Sequence, residues 1–138
     1  MSQVIEIDVE ELWDNTYGGT FHQLGDMHLA TGRMLLENSN TPPEELPLYK
    51  FMLSPSYPQK KSGYAVIAYL DQYKQVFKSI KARGYIRQSK RDPTDGATLI
   101  PVRIMPDGTI CLKDGHRRLT AIRVIGKQKR IEVEVVCG

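Results

Sequence analysis

The sequence predicts a single mixed α/β domain, with helices packed on a mixed sheet. Three observations carry this. The last third runs strand, hairpin, turn, helix, strand. The middle holds an apolar stripe of helical period. Both ends alternate apolar and charged residues with a period of two. A chain of 138 residues is enough for one such core.

The elements follow in order. Val4 to Val9 sets Val4, Ile5, Ile7 and Val9 against Glu6, Asp8 and Glu10, which predicts an opening strand. The stretch through Trp13 and Tyr17-Gly18-Gly19 is expected to be irregular. A helix is expected over Phe21–Glu37, weakened at Gly25 and Gly32 by about 1 kcal/mol each relative to alanine. Asn38 to Pro47 holds Pro42, Pro43 and Pro47 and is expected to be a loop. Lys50-Phe51-Met52-Leu53 is a short buried element, and Ser54 to Gly63 a second loop.

From Tyr69 the chain is helical. Leu70, Tyr73, Phe77 and Ile80 recur at three- and four-residue steps, Lys74, Lys78 and Lys81 are expected on the opposite face, and Gly84 stops the helix. Arg87 to Gly96 is polar and is expected to be a loop. Leu99–Met105 is a strand candidate, and Asp107-Gly108 a two-residue hairpin turn in which both residues accept positive φ. Thr109–Lys113 returns antiparallel. Gly115–Ile125 is a helix with Leu119, Ile122 and Ile125 inward and Gly126 closing it, and Ile131–Val136 is the last strand. If strands flanking that helix are parallel, they form a crossover unit.

Composition narrows the function classes. The N-terminus has neither a basic nor an apolar leader pattern, and no apolar run approaches the ~20 residues of a membrane helix. A cytoplasmic protein with no membrane partner is the expectation. Cys111 and Cys137 lack metal-ligand spacing and are expected as reduced thiols. The net charge of +3 permits a polyanionic partner without arguing for one. Walker-type, zinc-ligand and Gly-x-Ser-x-Gly patterns are all missing from the sequence.

The richest segment is Asp114-Gly115-His116-Arg117-Arg118, where a strand gives way to a helix. A helix's first turn presents unpaired N–H groups and the positive end of the macrodipole. Gly115 lets an anion approach the backbone, and Arg117 and Arg118 add donors suited to phosphate. His116 is a phosphate donor or an acid, and Asp114 either caps the helix or stands beside the phosphates holding Mg²⁺ or a hydroxyl. The plain alternative is an ordinary turn followed by two solvated arginines.

Ile100-Pro101-Val102-Arg103-Ile104, Asp107-Gly108, Ile110 to Ala121, Ile125-Gly126 and Ile131-Glu132-Val133 together resemble the core of the ParB/sulfiredoxin-like superfamily. Its members pair an I-P-V strand with a D-G-H-x-R or G-E-R-R turn, followed by an apolar helix, a glycine and a closing strand. The resemblance makes 97–136 the core motif and 1–60 a family-specific N-terminal part. Lys50-Phe51-Met52, with tyrosines downstream, resembles the opening of a ParB-like subgroup.

The resemblance implies that Gly115, His116, Arg117 and Arg118 contact the phosphates of CTP, ATP or ADP. It also places Asp114 at the reaction centre of kinase-like members that phosphorylate free serine. NTP hydrolysis or small-molecule phosphotransfer would then rest on Asp114 and His116 as catalytic groups, with Mg²⁺ as the companion ion. Kinase-like members use an upstream glutamate, for which Glu6, Glu10 and Glu11 are the candidates. Sulfiredoxins carry a catalytic cysteine where this chain has Gly115, so reductase chemistry is not expected.

His22 and His28, six residues apart, do not share a helix face and are expected as surface or half-buried histidines rather than metal ligands. The basic set Lys74, Lys78, Lys81, Arg83, Arg87, Lys90 and Arg91 supports an alternative function: a DNA-binding or nuclease-like accessory protein gripping backbone phosphates. The tyrosines Tyr49, Tyr57, Tyr64, Tyr69, Tyr73 and Tyr85 are core or pocket-wall candidates, and one of them is available to stack on a base. A homodimer and a monomer are both open. A fold kept only as an interaction module is the third possibility.

Overall fold

The computed structural model describes residues 3–57, 59, 61–85 and 99–136. The expected polar loop Arg87 to Gly96, with Arg87, Lys90 and Arg91, lies outside them, as does Cys137. The described chain is a four-stranded mixed sheet with five α-helices: β1 Gln3–Asp8, α1 Val9–Tyr17, α2 His22–Glu37, α3 Pro47–Leu53, α4 Gly63–Arg83, β2 Ile100–Ile104, β3 Ile110–Leu112, α5 His116–Ile125 and β4 Arg130–Val135. Strand order is β1-β4-β2-β3. β1 runs antiparallel to β4, β4 parallel to β2, and β2 antiparallel to β3. The strands flanking α5, β3 and β4, are therefore not neighbours, and β2 lies between them. The parallel pair is β2 and β4.

The register lines up the buried apolar residues of all four strands on one face. Ile7 is opposite Ile131, Ile5 opposite Val133, Val133 opposite Ile100, and Val102 opposite both Val135 and Leu112. One buried core joins them to Leu12 of α1, Leu35 of α2, Val66, Leu70, Tyr73 and Phe77 of α4, and Leu119 and Ile122 of α5. The other face carries Val4, Glu6, Arg103, Glu132 and Glu134, exposed or half-buried. This is the one-wet-face alternation expected of a sheet covered on one side.

Four expectations need correction. The stretch after β1 is helical, not irregular: Asp8 caps it by accepting from Glu11 N–H at 3.1 Å, and Glu10 and Glu11 sit at the positive helix end. Val9, Leu12, Trp13 and Tyr17 form its buried stripe. Assigning Val9 to the strand hides that spacing. The loop after α2 ends earlier than expected, because Pro43 opens a single 3₁₀ turn and Pro47 stands in the first turn of α3. α4 begins at Gly63, more than a turn before Tyr69, because Ser62 caps it by accepting from Ala65 N–H at 3.1 Å. In the hairpin only Gly108 takes positive φ. Pro106, Asp107 and Gly108 form a three-residue loop closed by Met105 and Thr109, with Met105 N–H donating to Thr109 C=O at 2.8 Å.

The outer edge of β3 is covered by α1. Asn15 Nδ2 donates to Ile110 C=O at 3.1 Å, and Leu112 N–H donates to Thr16 Oγ1 at 3.0 Å. Side chains thus take the ladder's place and hide an otherwise sticky edge. No helix among the described residues is long and apolar enough to cross a membrane.

Candidate functional site

Where β3 becomes α5, Lys113 N–H pairs with Pro101 C=O at 2.9 Å, and the chain then turns through Asp114 and Gly115. Gly115 adopts φ +94°, a left-handed conformation that other residues reach only with strain. A Cβ there would also sit 3.4 Å from the Ile100 side chain. The turn aims the first N–H groups of α5 outward, and no side chain caps them. Asp114 does not act as the cap: its Oδ1 accepts from Gly115 N–H at 2.7 Å.

This helix end forms one wall of a cleft of about 470 Å³, lined by Asp114, Gly115, His116, Arg117 and Arg118 on one side and Tyr57, Gln59, Lys61, Tyr69 and Val76 on the other. All five residues of the expected turn are thus brought together. The structure adds Lys61, which the sequence gives no local signal to select, and of the six tyrosine candidates it sets Tyr57 and Tyr69 on this wall. Arg117 is a brace as well as a wall. Its guanidinium lies 4.5 Å from the Tyr69 ring centroid, and Nη1 donates to Tyr69 C=O at 3.2 Å and Gln72 Oε1 at 3.0 Å.

Behind the turn lies a buried polar cluster. His116 Nδ1 shares a hydrogen bond with the Tyr17 hydroxyl. His28 stacks on His116, ring centroids 5.5 Å apart and planes at 15°, and its Nδ1 shares a 3.0 Å hydrogen bond with the Tyr73 hydroxyl. Thr120 Oγ1 donates to His116 C=O at 2.7 Å. Burial lowers the His116 pKa, and the Asp114 charge only partly offsets this. His116 is therefore largely a neutral imidazole near pH 7. Burial, then the His116 and Arg117 charges, push His28 down to about 3. Burial drives the Tyr17, Tyr69 and Tyr73 hydroxyls upward, so all three stay protonated.

His28 is therefore a fully buried member of this cluster and not the surface or half-buried residue expected. His22 is exposed and bonds Gly19 C=O at 2.9 Å. Glu6 and Glu10 stand away from the cleft, paired with Arg130 at 2.8 Å and Arg123 at 3.0 Å. Arg123 is two turns along α5 from His116. Glu11 is exposed on α1 and is not on the cleft lining.

The lysines are displaced too. At 3.6 residues per turn, Lys74, Lys78 and Lys81 lie roughly a quarter turn from the buried stripe of α4, not opposite it. Tyr69, Gln72 and Val76 lie on the other flank, where α5 and the cleft are. Lys78 reaches the loop after α2, donating to Asn40 Oδ1 at 3.2 Å. The lysine stripe and the Asp114–Arg118 turn thus sit on opposite flanks of one helix.

A second cleft, of about 630 Å³, lies on the far side of His116, between the end of α1 and the β2–β3 hairpin. Cys111 borders it as a free thiol, its pKa raised by burial, with Sγ 3.5 Å from Asn15 C=O. Among the described residues no cluster of three or more His, Cys, Asp or Glu side chains is disposed to hold a metal. The chain matches no family model, no curated protein and no solved structure.

Proposed function

We propose that the protein binds a nucleoside tri- or diphosphate, CTP or ATP/ADP, in the cleft at the N-terminus of α5, as a ParB/sulfiredoxin-like domain. The observation that carries this is convergence. The uncapped N–H groups after Gly115, the Arg117 and Arg118 guanidinium groups and the Lys61 ammonium line one cleft that also contains two tyrosine rings. Such a helix end is a ready anion site, the cations add charge-assisted donors, and aromatic faces accept a base by stacking.

In this reading His116 to Arg118 hold the phosphates, while Tyr57 or Tyr69 flanks the base. Asp114 is the carboxylate among the described lining residues. Mg²⁺ is commonly held by one carboxylate and the phosphates themselves, so the missing metal cluster does not count against it. If a phosphate is hydrolysed or transferred, Asp114 and the neutral His116 are the groups within reach. Lys74, Lys78 and Lys81, which the DNA-binding alternative would use, stand on the other flank of α4 and form no part of this cleft's described lining.

Calorimetric titration with CTP, ATP and ADP, with and without Mg²⁺, tests the proposal. Arg118→Ala is expected to weaken binding by about 1.5–3 kcal/mol, the range for a charge-assisted bond. Unchanged affinity in both Arg117→Ala and Arg118→Ala would sink it.

A further inference from the structure

The cleft beyond His116 differs in chemistry from the phosphate cleft. Tyr17, Phe21, Leu24, Met105 and Leu112 give it apolar walls, and Arg103 stands at its edge. Phe21 and Met105 are 53% and 39% exposed, so large apolar side chains face an open cavity instead of being folded away. At about 630 Å³ the space suits a small organic molecule. Arg103 forms no ion pair with any described residue, and no carboxylate is among the described lining residues. The described lining is therefore mainly apolar with one cationic side chain, Arg103, while the nearest carboxylate on the hairpin, Asp107, stands outside it, and His116 forms part of both this lining and that of the phosphate cleft.

We infer that this second cleft binds a small organic anion with an apolar body: an aryl or branched-alkyl carboxylate whose acid group meets Arg103 and whose body lies against Phe21, Leu24 and Met105. Three features select that class. The apolar walls reward a body that leaves water, the Arg103 guanidinium rewards one carboxylate, and a described lining without acids disfavours cations. Arg103 and Cys111 are cross-strand partners on β2 and β3, so the cation is carried by the sheet and not by a loose loop. Such a ligand would end beside the His116 imidazole, opposite the phosphate cleft. The inference does not depend on a nucleotide being bound there.

The test uses the full chain and two probes of one shape, 3-phenylpropionate and its neutral amide, 3-phenylpropionamide. Binding is followed by backbone amide shifts and calorimetry. The acid is expected to shift amides of residues 15–24, 103–105 and 110–112, and to bind about tenfold more tightly than the amide, the lower worth of a charge-assisted bond. Arg103→Ala is expected to erase that preference, and Phe21→Ala to weaken both probes. Both side chains are exposed, so neither variant threatens the fold. No shifts in those segments up to the solubility limit would overturn the inference. So would equal affinities for acid and amide, or an acid preference that survives Arg103→Ala. ATP titrated into Arg103→Ala separates the two sites: it is expected to bind as to the parent chain, and a failure of ATP to bind the parent would count against the nucleotide reading alone.

Discussion

His28 stands where an ionisable side chain is most costly to charge: it is buried, stacked on His116 and bonded to Tyr73. Its pKa falls from the ordinary 6.5 to about 3. Between those values the unfolded chain takes up a proton that the folded chain refuses. Stability is therefore fully present above pH 6.5 and declines as pH falls, by about 1.4 kcal/mol per pH unit for this one group. His116, also lowered by burial, adds to the loss as pH falls below the ordinary histidine value. Urea denaturation between pH 7 and 4.5 is expected to show this slope, and His28→Gln to reduce it by close to one proton. An unchanged slope in that variant would contradict the burial assignment. Gly115 makes a second residue-scale claim. Gly115→Ala places a Cβ in left-handed backbone beside Ile100 and is expected to cost about 1–2 kcal/mol in thermal or urea unfolding.

Pairs of elements show what the sequence revealed and what it concealed. The last third was legible because each of its signals is local: a glycine turn, an alternating strand, a three-four stripe, a closing Gly126. α1 was concealed because its first apolar residue, Val9, also completes the alternation of β1. Gly25 and Gly32 illustrate a subtler limit. Propensity marks them only as weak points of α2, yet a Cβ at Gly25 would lie 2.7 Å from the Tyr17 side chain, and one at Gly32 2.8 Å from Thr120 and 2.9 Å from Val124. They are where α2 meets α1 and α5. Gly32→Ala, which propensity alone would favour by about 1 kcal/mol, is instead expected to destabilise by about 1–3 kcal/mol through overpacking. The edge of β3 gives a matching claim. Thr16→Ala leaves Leu112 N–H without its partner and is expected to cost about 1–3 kcal/mol, with faster hydrogen exchange at Leu112.

At the scale of the molecule, the fold turns scattered residues into one wall. The five residues of the turn could be picked from the sequence because they are contiguous. Lys61 could not, and Tyr57 and Tyr69 could be named only among six tyrosine candidates, since only the packing of α4 on α5 and the chain before α4 bring them opposite. Periodicity grouped Lys74, Lys78 and Lys81 correctly as a stripe, but it could not show which flank of α4 faces the turn. That difference separates the two functional readings in solution. A phosphate cleft serving a free nucleotide implies little DNA affinity at physiological salt, whereas a basic DNA-binding surface implies affinity that falls steeply as salt rises. The measurement that bears most directly on the central claim is calorimetric titration of the full chain with CTP, ATP and ADP plus Mg²⁺, repeated on Arg118→Ala. The account expects saturable binding of at least one nucleotide, weakened by about 1.5–3 kcal/mol in the variant. No binding of any nucleotide to the parent chain, or binding that Arg118→Ala leaves untouched along with Arg117→Ala, would contradict it.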